Sequence, residues 1–295
     1  MIDLHAHTTA SDGSLAPTAL VRLAAQTGLS TIAVTDHDTV GGCAEAIAAA
    51  PVAGAEVVPG IEISVDYPQG EFHLLGYFID YEDRSFLAAL HRLQDNRLNR
   101  NHQMIAKMQA AGLPITMEDV IAEAGGGQIG RPHMAKALLR RGVVASVQEA
   151  FDRYLADGAP CHVPKIKLGP EAAIALIHAA GGVAILAHPK YLEFPDPPSL
   201  ERAVAAWRDA GLDGIECYYS QHSEAETAAY LETARRLRLL VSGGSDFHGD
   251  SKPDVKLGGI YRGRPLPADL LPPIRARAAG RRAVNMRSGC AHRSG

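Results

Sequence analysis

The sequence predicts an α/β fold in which a parallel sheet closes into a barrel and carries an all-helical insertion. Three observations predict it. Short apolar runs of strand length alternate with Ala-rich stretches of helical period, the pattern of repeated βα units. The alternation stops between residues 84 and 163, where helical patterns follow one another with no convincing strand. Histidines and carboxylates recur where the apolar runs end, as expected when strand ends converge on a barrel mouth.

Ile2–Leu4 is the first expected strand, and a helix follows over Thr18–Thr27. Pro17 suits the first turn of that helix, where a missing N–H costs nothing, and Gly28 suits its C-terminal end. Thr31–Thr35 reads as a fully buried strand, Gly42–Ala50 as a helix, and Glu56–Pro59 and Phe72–Ile79 as strands. Beyond the insertion, helices are expected at Leu168–Ala180, Leu200–Ala210 and Glu224–Arg236. The strands interleaved with them are Val183–Ala187, Gly214–Cys217 and Leu239–Ser242. The barrel domain is therefore discontinuous, residues 1–83 and 164–280. The insertion, residues 84–163, is expected to cover the mouth with helices at Phe86–Ala111, Met117–Glu123, Pro132–Arg141 and Val147–Leu155. GGGQIGRPH in its middle reads as a mobile turn or a substrate-facing loop. Residues 281–295 have little apolar periodicity and read as a flexible tail.

Composition bounds the function. With 46% hydrophobic and 21% charged residues, the chain is of ordinary globular type. A net charge of −4 argues against a basic surface for duplex nucleic acid, but bound cations would still admit a small anionic substrate. No apolar run approaches the roughly 18 residues of a membrane span. Cys43, Cys161, Cys217 and Cys290 are scattered without a CxxC pair, and no signal peptide precedes the first strand. A cytoplasmic protein with free thiols is expected; oligomeric state is left open. No GxxxxGK[ST] or strand-linked GxGxxG is present, and Gly125–Gly127 lack the strand-to-helix setting of a nucleotide cradle.

Nine residues have the chemistry of metal ligands: His5, His7, Asp12, His37, Glu62, His73, His188, Asp246 and His248. Six imidazoles and three carboxylates form a hard-to-borderline set suited to two or three divalent ions. His5 and His7 alternate on one strand and share a face, as do Asp246 and His248. A single histidine at a strand end is more often a cap or a satisfied polar group. Convergence from several strand ends argues for a metal centre, and such clusters make hydroxide at neutral pH and neutralise phosphate oxygens.

HAH at His5–His7, Asp12 in SDG, TDHD around His37, GIE at Glu62, His73 in EFHLLG, AHP at His188 and SDFH at Asp246–His248 together closely resemble the motifs of the PHP (polymerase and histidinol phosphatase) family. The resemblance covers nearly the whole chain. It implies a distorted (β/α)7 barrel of PHP type and two or three divalent ions, manganese foremost, with zinc or iron as alternatives. Carried over residue by residue, His5, His7, Glu62 and Asp246 would hold one ion. Glu62 would bridge to a second held by His73 and His188, and Asp12, His37 and His248 would hold a third. The implied reaction is attack on phosphorus by a hydroxide shared between ions, with Asp246 and His248 beside it to move its proton.

The GRPHMAKAL segment resembles a branch of that family that includes a 3′,5′-nucleotide bisphosphate phosphatase and a 5′-end-trimming exoribonuclease. By this resemblance Arg131 and His133 would contact the substrate phosphate, the arginine as a bidentate clamp. His222 in YYSQHSE matches a histidine near the same mouth. The expected protein is a metal-dependent phosphoesterase acting on a small nucleotide. The 3′-phosphate of a 3′,5′-bisphosphonucleoside or the 5′ end of a short RNA is the favoured target. A phosphodiesterase for cyclic or sugar phosphates is the alternative, and a noncatalytic nucleotide-binding module the second. Lys165, Lys167 and Lys252 read as solvated side chains by default.

Overall fold

A computed structural model describes residues 1–124, 129–164, 167–258 and 265–291. The chain divides into two compact units, residues 1–88 with 167–295 and residues 89–166.

The first unit is built on seven strands: β1 (Ile2–Asp3), β2 (Thr31–Val34), β3 (Glu56–Val65), β4 (Phe72–Tyr77), β5 (Val183–Leu186), β6 (Gly214–Tyr219) and β7 (Leu240–Gly244). They lie side by side in chain order. The β1–β2, β2–β3, β5–β6 and β6–β7 pairs are parallel. The sheet closes on itself through the extensions of β1 and β7. There Leu4 N donates to Gly243 O (3.3 Å), Asp246 N to His5 O (2.9 Å) and His7 N to Phe247 O (2.9 Å). Helices α1 (Pro17–Gln26), α2 (Cys43–Ala53), α8 (Pro197–Asp209) and α9 (Glu224–Leu237) connect the parallel strands, and α7 (Pro170–Ala179) precedes β5.

The sheet is not wholly parallel: β4 runs antiparallel to both β3 and β5. The physical reason is the connection. A parallel crossover needs a dozen or more residues, and the turn between Val65 and Phe72 is far shorter than that. β3 is also longer than expected, so Glu62 lies within the strand, opposite Leu75 of β4.

Inside the barrel Leu4, Ala33, Val58, Leu75, Tyr77 and Ile185 pack together. Each fully buried large apolar side chain there contributes about 1.5–3 kcal/mol. The Tyr77 hydroxyl keeps a partner in Ser242 Oγ at 2.9 Å. A second cluster, including Leu20, Val21, Ile32 and Val34, seats α1 on the sheet.

Residues 281–291, expected as part of a flexible tail, continue helix α10 (Leu271–Ala291) instead. Charge pairing holds this stretch where apolar periodicity does not. Arg281 donates to Gly182 O (2.7 Å) and to both carboxylate oxygens of Asp213 (2.9 and 3.0 Å), and Arg277 adds a third contact at 2.7 Å.

α3 (Arg84–Ala110) runs out of the first unit, and α4 (Met117–Ala124), α5 (Arg131–Arg140) and α6 (Val147–Ala150) complete the second. The expected helix Val147–Leu155 is α6 followed by a wider π turn at Phe151–Leu155. This unit has its own core, with Met104, Met108, Ile115, Val120, Met134, Leu138 and Leu155 buried together. Gly125–Gly127 and Lys165 lie outside the described residues.

Candidate metal centre

Each ligand candidate is held by a local feature of its strand end. His5 and His7 leave β1 on one face, both fully buried. The loop that follows is tied down by Asp36, which accepts from Thr8 N, Thr8 Oγ1 and Ser11 Oγ at 2.7 Å each and so places Asp12. Beyond β2 the backbone pairs His37 with Glu62: Glu62 N donates to Asp36 O (3.1 Å) and Asp38 N to Glu62 O (2.8 Å). Because β4 is reversed, His73 near its start reaches the end of the barrel where the parallel strands finish. Ala187 N donates to His73 O (3.1 Å) and brings His188 alongside. Asp38, His188 and Asp246 have φ of 52°, 22° and 58°. Such conformations cost about 1–3 kcal/mol each and cluster at functional sites.

Glu62 is the hub. Its Oε1 lies 2.9 Å from both His73 Nδ1 and His188 Nε2. Its Oε2 lies 3.2 Å from His5 Nε2, 3.1 Å from His7 Nε2 and 3.2 Å from His37 Nδ1. Asp246 Oδ1 lies 3.4 Å from His5 Nε2 and 3.2 Å from His7 Nε2. Asp12 Oδ1 stands 3.3 Å from His248 Nε2 and 3.6 Å from His7 Nδ1. Three overlapping groups result, each with donor atoms within 4.8 Å of one another: His5–His7–Glu62–Asp246, His7–Asp12–His37–His248 and His37–Glu62–His73.

The donors converge on shared points rather than pairing off. His7 Nε2, His37 Nδ1, His73 Nδ1 and His248 Nε2 are buried and make no hydrogen bond, although a carboxylate oxygen lies 2.9–3.3 Å from each. Orphaned buried nitrogens are costly unless something else satisfies them. Nitrogen and carboxylate donors aimed together at common points are what divalent cations take.

The electrostatics agree. Burial pushes the Glu62 and Asp246 carboxyls upward, but the surrounding imidazoles prevail and hold both well below the usual range. Asp12 is lowered likewise, His248, His37 and His7 overcoming its burial. Burial pushes His37 down to about 3, and burial with His7 nearby lowers His248, so both are neutral, the ligating form. His5 and His7 go the other way. Despite burial, Glu216, Glu62 and Asp246 raise His5, and Asp246 and Glu62 raise His7 to about 9. A cation entering between them takes the place of protons.

The other expected site residues have partners of their own. Arg131 and His133 open α5 in the helical unit. Arg131 Nη1 pairs with Asp157 Oδ1 (2.5 Å) and donates to Leu155 O (3.2 Å), while His133 Nδ1 accepts from Gly130 N (3.1 Å). His222 is buried beside Tyr219 and Tyr230. Its Nδ1 meets Cys217 O at 3.0 Å, and Nε2 makes no hydrogen bond. Lys167 Nζ donates to Val65 O at 3.4 Å. Lys252 is not a merely solvated side chain: its Nζ is 2.7 Å from Asp246 Oδ2. The Tyr219 hydroxyl donates to the same oxygen at 3.0 Å.

Sequence reasoning also passed over Asp36, Asp38, Tyr219 and Glu216. Glu216 Oε1 lies 3.0 Å from His5 Nδ1, and Oε2 accepts from His188 N at 2.7 Å. An acidic residue inside the apolar strand GIECYY was the available signal.

The PHP domain profile matches residues 3–158. The chain belongs to the PHP domain family. Over 257 residues it is 35% identical to the 3′,5′-nucleoside bisphosphate phosphatase of Chromobacterium violaceum, spanning 86% of this chain and 90% of that protein. It is 37% identical over 259 residues to the 5′-3′ exoribonuclease Rnm of Escherichia coli, spanning 87% of each. Among solved structures, an amidohydrolase from Chromobacterium violaceum with bound sulfate and no metal superposes with a TM-score of 0.77. The two are 33% identical, and the match covers 94% of this chain and 96% of that one. The PHP barrel is thus the distorted seven-stranded form, with the reversed β4 as its departure from a regular βα array.

Proposed function

We propose that this PHP protein is a metal-dependent phosphoesterase that removes phosphate from a small nucleotide. The preferred substrate is the 3′-phosphate of a 3′,5′-bisphosphonucleoside or the 5′ end of a short RNA. The observation that carries it is the convergence of three carboxylates and the buried, unpaired imidazole nitrogens on shared points at one barrel rim. The two relatives named above support the substrate class.

Bound divalent cations supply Lewis acidity toward phosphoryl oxygens and ready ionisation of water. His5, His7, Glu62 and Asp246 would hold one; Glu62, His73 and His188 a second; Asp12, His37 and His248 a third. Manganese is the favoured ion, with zinc or iron accepted by the same donors. The chain does the positioning. Glu62 ties the groups together through both oxygens, so they share one spacing. Asp246 presents Oδ1 to the imidazoles and keeps Oδ2 for Tyr219 and Lys252, which fix the carboxylate plane. Asp246 and His248 flank the place assigned to the attacking water. His248 Nδ1 donates to Asp246 O at 2.8 Å, which leaves Nε2 free to face Asp12. Arg131, His133 and His222 are assigned to the substrate, with Arg131 exchanging Asp157 for phosphate. Three buried thiols outside any disulfide, Cys43, Cys161 and Cys217, support a cytoplasmic setting. No helix among the described residues is long and apolar enough to cross a membrane.

The test is phosphate release by metal-stripped protein reloaded with Mn²⁺, Zn²⁺ or Fe²⁺. The panel is adenosine 3′,5′-bisphosphate, short 5′-phosphorylated RNAs and cyclic phosphates. Mn²⁺-dependent loss of the 3′-phosphate is expected. Protein that holds its ions yet hydrolyses nothing in the panel would make it a binding module instead.

A further inference from the structure

We infer that Glu216 is a positioning residue that presents two of the candidate ligands, His5 and His188, in the form and place a cation requires. The inference rests on the metal-dependent reading above. Among the described strands, β6 neither contains any of the nine ligand candidates nor leads directly into one. What it carries is Glu216, fully buried in the middle of the strand.

Both carboxylate oxygens of Glu216 are committed. Oε1 takes His5 Nδ1 at 3.0 Å, and Oε2 accepts the backbone N–H of His188 at 2.7 Å. The first contact decides how His5 binds. With a proton on Nδ1 donated to Glu216, the lone pair for a cation is left on Nε2. Nε2 is the atom that faces Glu62 Oε2 at 3.2 Å and Asp246 Oδ1 at 3.4 Å. The second contact pins the His188 backbone at φ 22°, a conformation that needs outside support. Held there, the His188 ring stays 2.9 Å from Glu62 Oε1. One buried side chain therefore orients a ligand on either side of the Glu62 carboxylate.

Glu216→Gln isolates this role, because it keeps the volume but cannot accept twice. If the amide oxygen keeps the His188 N–H, the NH2 group faces His5 Nδ1. That nitrogen must then carry the lone pair, and Nε2 keeps the proton that blocks ligation. The reverse orientation sets two donors against each other at His188.

The experiment compares metal-stripped wild type with Glu216→Gln, reading Mn²⁺ affinity by competition with a chelating dye and folding by thermal melting. Weakening by about 10- to 100-fold in a folded variant is expected. Long-range ¹⁵N spectra of histidine-labelled, Zn²⁺-loaded wild type supply a second readout that needs no variant. They should show His5 ligated through Nε2 with Nδ1 protonated. A folded variant with wild-type affinity, or His5 ligated through Nδ1, overturns the role of Glu216 and leaves the metal centre standing. Wild type that takes up neither ion overturns both.

Discussion

Replacing Gly244 by alanine tests whether barrel closure sets the metal centre. An added methyl would lie 2.1 Å from His5 Cβ and 2.5 Å from His5 N. Non-bonded carbons settle at about 3.5–4.0 Å, so β1 or β7 must yield by on the order of 1.5 Å. Ligand distances in working metal sites hold to within about 0.2 Å, far less than that displacement. Overpacking alone costs about 1–3 kcal/mol, while misplacement of about 1 Å at a site costs on the order of 100-fold in rate. Gly244→Ala should therefore lose at least about 100-fold in kcat/KM, and its Mn²⁺ content should fall. Gly54→Ala is the control: nothing lies within 4 Å, but φ is +79°, which costs a non-glycine residue about 1–2 kcal/mol. It should melt earlier and keep full activity when folded. Phosphate release, metal content and thermal melts of both variants give the answer. Wild-type turnover and metal content in Gly244→Ala would show that the β1–β7 seam does not position His5.

Asp213→Asn should cost about 3–5 kcal/mol by stranding Arg281 and His178, and lower the melting temperature by roughly 10 °C, with activity at low temperature retained. Burial pushes the Asp213 carboxyl up, but His178, Arg281 and the Ala184 N–H prevail and hold it well below the usual range. Its contribution is thus complete above the unfolded carboxylate pKa of about 3.9 and fades as pH falls toward the folded value. Melts across acid pH should show wild type losing its advantage over Asp213→Asn there. Tyr219→Phe removes one of two donors on Asp246 Oδ2 and should cost about 10-fold in kcat/KM. Adding Lys252→Met should cost more than the two single losses combined, and strict additivity would refute a shared role. Chelation should abolish turnover and lower the melting temperature. Mn²⁺ at about 100 times its Kd should restore about 2.7 kcal/mol, and a chelator-indifferent enzyme would refute the centre. Arg131→Ala should lower kcat/KM by about 10- to 100-fold, mainly through KM; unchanged kinetics would remove Arg131 from the substrate.

The ligand candidates were legible because chemistry and period coincide: imidazoles spaced by two residues, and acids and histidines at the ends of apolar runs, depend only on local pattern. The α/β class was legible for the same reason. The direction of β4 was not read, although the few residues between Val65 and Phe72 already excluded a parallel crossover. Pro59–Gly60 read as a strand end, yet backbone pairing to β2 and β4 carries β3 through both residues to Val65. Helix α10 and the role of Glu216 rest on partners far away in sequence, Asp213 and His5, which no local window contains. Lys252 stands only six residues from Asp246, and that pairing was passed over because a lysine beside a ligand motif is solvated by default.

The seam between β1 and β7 has a consequence for biosynthesis. His5 and His7 leave the ribosome first, while Asp246 and His248 arrive only when the final strand emerges. The His37–Glu62–His73 group is translated early, whereas the other two groups each need Asp246 or His248. The complete centre therefore exists only once translation of the barrel is nearly finished and the last strand has closed against the first.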